Sequence, residues 1–166
     1  MAYAIRPFRK HDAAALADLT LAAIRSLGAE RYSDEQVAAW ASRHGTADRF
    51  VVRAATGDAI FVASDADDRP VAYALVGMRG KEVGHVDMLY CHPDHARKGL
   101  ADELLAQVEH HCRAHKVTRL FTEASELARG PFERAGYTVT HRRDFAIPHE
   151  GREVAIHNYA MEKPLT

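Results

Sequence analysis

The chain has little cysteine, only two residues in 166. Two thiols cannot build a disulfide framework, and Cys91 and Cys112 fall in segments that read as a strand and a helix, so both are read as reduced packing residues. Long apolar runs are missing too. None approaches the roughly 20 residues that span a bilayer, and the opening MAYAIRPFRKHD has no apolar signal core, so the expectation is no membrane partner and a cytoplasmic location. Charge of one sign does not accumulate either: 22 Lys+Arg stand against 23 Asp+Glu, a formal net charge of −1. The small clusters RKHD and HRRD carry no interleaved aromatics, which argues against a nucleic-acid partner. Apolar residues, by contrast, are plentiful at 47%, and the length suits one core. With no repeat or low-complexity linker, a single domain over residues 1–166 is expected.

Periodicity orders the parts. YAIRPF reads as a strand, and residues 11 to 27 repeat apolar positions at helical spacing until Gly28. Ser33, with Gln36 three residues on, forms a capping-box pattern ahead of Val37, Trp40 and Ala41, predicting a shorter second helix. Residues 46 to 58 fit neither period. AIFVAS, VAYALVGMR and HVDMLYC, separated by turn residues, predict an antiparallel meander of three strands. A long amphipathic helix then runs from Gly99, followed by the strand VTRLFTEA, a short helix ending at Gly136, and two closing strands around YTVTHRRDFAI and REVAIHNYAMEK. The expected fold is mixed α/β: a mostly antiparallel twisted sheet with one parallel pair made by the strand-helix-strand crossover, flanked by about four helices.

The stretch HPDHARKGLADELL, residues 92–105, sets a glycine and two cations at a helix entrance just after an apolar strand. Free amides of residues 98 to 102, including those of Leu100, Ala101 and Asp102, point into the loop. Gly99 leaves room for a ligand to approach the backbone, and Arg97 and Lys98 add positive charge. This is an anion seat suited to a pyrophosphate. It lacks the glycine and lysine spacing of a P-loop and the three glycines of a dinucleotide fingerprint, which counts against nucleotide hydrolysis and hydride transfer.

These residues resemble the GNAT superfamily of acyl-CoA-dependent N-acyltransferases. The family ends a strand in apolar-x-apolar-x-Pro, here Leu89, Cys91 and Pro93, then opens a helix with Gln/Arg-x-x-Gly-x-Gly/Ala, here Ala96, Gly99 and Ala101. Ala96 replaces the usual polar residue, and Arg97 stands beside it. A second family motif, Asn-x-x-Ala-x-x-x-Tyr-Glu-x-x-Gly-Phe, is matched in spacing by Ser125, Ala128, Phe132, Glu133, Gly136 and Tyr137. Ser125 takes the Asn place. Phe132 takes the place of a tyrosine that often protonates the departing thiolate. The resemblance covers almost the whole chain and implies acetyl-CoA as co-substrate, with no metal. It also implies that strand 85 to 91 splays from strand 118 to 123, and that the backbone of Leu89, Tyr90 and Cys91 meets the pantetheine arm.

Direct transfer to an amine needs a base, because lysine-like amines have a reference pKa near 10.4 and are protonated at neutral pH. His85 and Asp87, two apart on a strand, are expected on one face, and His85 falls where some family members carry a catalytic glutamate. His85 is the first candidate base, Asp87 its orienting or alternative partner, and Glu123 the third. Tyr137 and Tyr159 are possible thiolate donors by type. By resemblance the acceptor pocket lies under the first two helices and the last strands, with Tyr32, Trp40, His44, His157 and Tyr159 as candidate walls. No acidic cluster marks a strongly cationic acceptor.

The activity read from these features is transfer of acetyl from acetyl-CoA to a primary amine, with a small-molecule acceptor preferred over a protein amine. The rival from another class is a non-catalytic acyl-CoA-binding module, since fold alone does not guarantee chemistry. His111 and His115 stand at i and i+4 beside Cys112, but no second ligand pair follows them, so they read as a solvated helix face. The exposed last strands are compatible with a homodimer.

Overall fold

β-strands form where short, nearly continuous apolar runs are bounded by turn residues. In the computed structural model, which describes residues 2–166, β1 (Ala4–Pro7), β2 (Ala59–Ser64), β3 (Pro70–Met78), β4 (Val83–Cys91), β5 (Arg119–Ala124), β6 (Thr138–His149) and β7 (Arg152–Pro164) build one seven-stranded sheet in the order β1-β2-β3-β4-β5-β7-β6. Every neighbouring pair is antiparallel except β4 with β5, the pair joined by the helical crossover. β6 and β7 are closed by Glu150 and Gly151, both at positive φ (49° and 75°), the conformation that a two-residue turn matched to strand twist requires.

Five helices flank the sheet, one more than expected: α1 (Ala13–Ser26), α2 (Asp34–Ser42), α3 (Asp48–Ala55), α4 (Leu100–Ala114) and α5 (Arg129–Arg134). The capping box predicted for α2 is present: Gln36 N donates to Ser33 Oγ and Ser33 N to Gln36 Oε1. The addition is α3, in the stretch of ambiguous period. Its one fully buried residue, Phe50, meets Tyr73 edge-on at 5.3 Å, and Val51 and Ala54 pack partly buried against the same cluster.

The pleat divides the core. On β3, Ala72, Ala74 and Val76 pack toward Leu100, Leu104, Leu105 and Val108 of α4, whereas Tyr73 and Leu75 pack with Leu16, Leu19 and Phe50 of α1 and α3. A third cluster joins Ile24, Tyr32 and Val37 to Ile147, Val154 and Ile156 of β6 and β7. The sheet is therefore covered on both faces, and the last two strands bend under α1 and α2. Among the described residues no helix is long and apolar enough to cross a membrane.

Candidate active site

β4 and β5 pair over three residue pairs only, Val83–Arg119, Gly84–Leu120 and His85–Phe121. Gly84 permits this approach, since a Cβ there would sit 2.8 Å from Leu120 Cδ2. Just beyond, Thr122 Oγ1 donates a 2.7 Å bond to Val86 O, and the strands then part. On its other side β4 slips register against β3: Val76 faces Val86 but Leu75 faces Met88, which leaves Asp87 without a partner, a bulge that turns the strand. Because His92 N donates to Val71 O at 2.8 Å, antiparallel alternation directs the N–H and C=O of Leu89 and Cys91 away from β3 and into the fork.

The fork opens into a narrow apolar cleft of about 100 Å³ between Leu89 and Cys91 on one side and Ala101, Leu104 and Pro131 on the other. Trp40, Leu89, Tyr90, Ser125 and Ala128 also border a second, wider cavity of about 320 Å³. Ala101 marks the end of the cleft nearest the entrance of α4. Gly99 is the N-cap there, left-handed at φ 78° with no side-chain cap, and nothing lies within 4 Å of where a Cβ would point. The first amides of α4 have no intrahelical acceptor and carry the positive end of the helix dipole. Arg97, itself at φ 61°, and Lys98 are exposed beside them, and the Asp102 carboxylate is drawn to Arg134 at 3.1 Å. Ser125 Oγ accepts from Ala128 N at 3.2 Å, fixing the turn into α5. Phe132 is buried against Tyr137 with ring centroids 4.9 Å apart, and the Tyr137 hydroxyl is buried without a partner.

His85 is 8% exposed. Its Nδ1 lies 3.2 Å from the Arg79 guanidinium and its Nε2 lies 3.0 Å from Glu123 Oε1. Arginine can only donate, so Nδ1 is the acceptor and the ring proton sits on Nε2, donated to Glu123. Phe121 stacks flat on the imidazole at 4.4 Å. Glu123 and Asp87 both line the wide cavity, and His85 stands behind them. Asp87 does not orient His85 as expected: its carboxylate takes a 2.8 Å ion pair from Arg53, and Glu123 is the partner of the imidazole. Arg53, arriving from α3, takes the carboxylate expected to meet the imidazole. Burial pushes the Asp87 pKa up, but the Arg53 hydrogen bond and the charges around it bring it below the usual carboxylate range.

The far wall comes from α2, β6 and β7. Tyr32 meets Trp40 edge-on at 5.5 Å, donates its hydroxyl proton to His157 O at 3.1 Å and accepts from Glu126 N at 2.9 Å. Sequence reasoning missed Glu126. Its Oε1 is 2.6 Å from His157 Nε2 and accepts the Tyr159 O–H at 2.7 Å, with the Arg129 guanidinium 4.4 Å from the Tyr159 ring centroid. The bonds from His157 and Tyr159 hold the Glu126 carboxyl below its usual range, and the same contact raises the Tyr159 phenol. Tyr159, expected as a pocket wall and a thiolate donor, is thus turned onto Glu126 and is not part of the cavity lining. His44 lines the cavity. Burial, with Arg49 beside it, pushes its imidazole down to about 4, so it is neutral at pH 7 and accepts from Arg49 at 3.1 Å. Arg43 and Arg49, not singled out in the sequence, and Arg143 of the HRRD cluster also line the cavity.

Two other sequence candidates stand apart from this chemistry. Burial pushes the Cys91 thiol up to about 11, and its Sγ donates weakly to the carbonyls of His92 and His95, which makes it a poor nucleophile. The His111 and His115 rings lie 4.3 Å apart. Among the described residues no group of three or more His, Cys, Asp or Glu is arranged to hold a metal ion.

Comparison with known proteins agrees with this geometry. The family model described as Acetyltransferase (GNAT) domain matches residues 28–147. A solved GCN5-related N-acetyltransferase of Rhodopseudomonas palustris is 32% identical over 99% of this chain and 97% of its own, with a TM-score of 0.81. The fold is shared with the PaiA N-acetyltransferase of Thermoplasma acidophilum, solved in complex with coenzyme A, at 16% identity, TM-score 0.78 and coverage of 99% of this chain and 100% of the other. It is shared also with yncA of Salmonella typhimurium, solved with its cofactor acetyl-CoA, at 21% identity, TM-score 0.75 and coverage of 100% and 95%. A search of curated protein sequences returned no match.

Proposed function

The chain belongs to the GNAT acetyltransferase family and is thereby an acyl-CoA-dependent N-acyltransferase; we propose that it moves an acetyl group directly from acetyl-CoA to the primary amine of a small molecule. The parting of β4 and β5 after His85 carries this reading. It presents unpaired backbone at Leu89 and Cys91 to a narrow apolar cleft that shares its inner walls with a wider polar cavity. An extended amide-bearing chain fits such an edge as an added strand would. An anionic group fits the entrance of α4, where Gly99 leaves the space in which a Cβ would stand open and no side chain caps the helix. Bound there, acetyl-CoA supplies a thioester open to attack by an amine.

The roles follow from position. The main-chain groups of Leu89 and Cys91 orient the donor, and an N–H among them stabilises charge that develops on the carbonyl oxygen. The Glu123–His85 pair receives the proton of the incoming ammonium, Glu123 presenting the carboxylate and His85 holding it from behind. Asp87, kept ionised by Arg53, attracts the ammonium. Phe132 has no proton to give and Tyr159 is committed to Glu126, so the thiolate takes its proton from water. The wide cavity is bounded on several sides by α2, β4, β5, β6 and β7, which favours a small acceptor over an extended protein segment.

The test is calorimetric titration with acetyl-CoA, beside dephospho-CoA and free pantetheine, followed by a thiol-release screen of amines. Micromolar binding that needs the pyrophosphate, together with amine-dependent release of CoA, is the expected result. Binding without turnover of any amine would instead make the chain an acyl-CoA-binding module.

A further inference from the structure

Arg43, Arg49 and Arg143 all line the wide cavity, and among the described residues none of the three is ion-paired to a carboxylate. Arg49 donates one N–H to Arg43 O at 3.1 Å and to neutral His44. Arg143 donates one to Asn158 Oδ1 at 3.0 Å and lies 5.3 Å from the Phe145 ring centroid. A guanidinium offers five donors in a plane, so each of the three keeps donors beyond these bonds. The two carboxylates on the same walls are already engaged, Asp87 by Arg53 and Glu123 by His85. The cavity is therefore positive in balance, although the ammonium of an acceptor must enter it.

Phosphates of a CoA donor do not account for these arginines. The anion seat with its own cations, Arg97 and Lys98, is at the entrance of α4, beyond the narrow cleft, and none of the three arginines borders that cleft. What remains for the wide cavity is the acceptor. Planar guanidiniums match the two oxygens of a carboxylate or the face of a phosphate, while Asp87 and Glu123 serve an ammonium.

We propose that the acceptor carries an oxyanion as well as its amine, a carboxylate or phosphate bound by Arg143 and Arg49 with Arg43 at the rim, so that the acceptor class is amino acids or similar zwitterions. Tyr32, Trp40 and Phe145, on the same walls, pack the remainder of the molecule. The assignment rests on the reading that this cavity holds the acceptor.

The test compares matched pairs: the twenty L-amino acids with their α-amides, and phosphoethanolamine with ethanolamine. Turnover is followed by CoA thiol release in the unaltered protein and in Arg143→Gln and Arg43→Gln, with melting temperatures as folding controls. At least one oxyanion-bearing member is expected to exceed its uncharged partner at least tenfold in kcat/KM, and Arg143→Gln to remove that preference through KM with kcat little changed. The carboxylate and phosphate arms tell the two oxyanions apart. Equal rates within every pair, turnover confined to uncharged or polycationic amines, or an Arg143→Gln variant that keeps the preference would overturn the proposal. Failure of acetyl-CoA to bind in calorimetry would refute the transfer reading alone. The pairs are then read by melting temperature without acetyl-CoA: stabilisation by an acid and not by its amide upholds the proposal, and equal or no stabilisation sinks it.

Discussion

Glu123 Oε1 lies 3.0 Å from His85 Nε2, so the carboxylate that faces the cavity is held from behind by a buried imidazole. Removing either member is expected to lower turnover while leaving acetyl-CoA affinity intact. General-base contributions are about 10²- to 10⁴-fold, and His85→Ala and Glu123→Gln are expected to fall in that range. The double variant should be little worse than the worse single one, since the pair acts as a unit. The pH–rate profile decides: the acid limb disappears in Glu123→Gln, and an unchanged limb there would rule the pair out as proton acceptor.

Gly99→Glu places bulk and negative charge at the α4 entrance, in a left-handed backbone conformation (φ 78°). Calorimetry is expected to show loss of acetyl-CoA binding. Gly99→Ala separates bulk and strain from charge: it costs about 1–2 kcal/mol of stability from the left-handed conformation, and its methyl, entering the space open to the anion, weakens binding less than the charged glutamate does.

Glu126 accepts from Tyr159, contacts the imidazole of His157 and, through its N–H, meets Tyr32, fixing one wall of the cavity from outside it. Glu126→Ala leaves the Tyr159 hydroxyl and the His157 imidazole short of a partner while keeping the main-chain bond to Tyr32, at a cost of about 1 kcal/mol. Its acceptor KM is expected to rise several-fold with the acetyl-CoA Kd unchanged. A wall that does not depend on Glu126 would show an unaltered KM.

How much of this was legible in the chain depends on how far apart the partners lie in sequence. The β2–β4 meander and the capping box of α2 rest on residues within a few places of one another, and the sequence displays them. The α3 segment holds Val51 and Val52, poor helix formers, and is tied down by Arg53 reaching Asp58 and Asp87. No local pattern announces that. Glu126 finds its partners on β7, 31 and 33 residues later, and its one sequence signal is its place directly after Ser125 in the second motif. The arginines of the cavity come from the C-cap of α2, from α3 and from β6, so only the packing of β6 under α2 gathers them. Where the sequence misled, at Asp87, the competing partner was Arg53, 34 residues earlier on α3, which no local pattern brings to β4.

His44 supplies a pH signature. Its folded pKa, about 4, lies below the reference value near 6.5, so the unfolded chain binds the extra proton first as pH falls. The stability due to neutral His44 is fully present above about pH 6.5 and is lost progressively toward pH 4, with a slope of up to about 1.4 kcal/mol per pH unit from this one group. Denaturant midpoints across that window should flatten in His44→Gln, and parallel curves for the two proteins would contradict the assignment.

The three-pair contact between β4 and β5 is also a mechanical seam. On one side lie β1 to β4 and on the other β5, β7 and β6; β4 pairs with β3 over seven residue pairs and β5 with β7 over six. Lateral cohesion is therefore thinnest beside the cleft, and a molecule bonded to the free edge of Leu89 and Cys91 acts as a splice across the joint. Occupancy and cohesion of the two half-sheets are then one equilibrium, and amide exchange at Val86 to Cys91 slows most when the cleft fills.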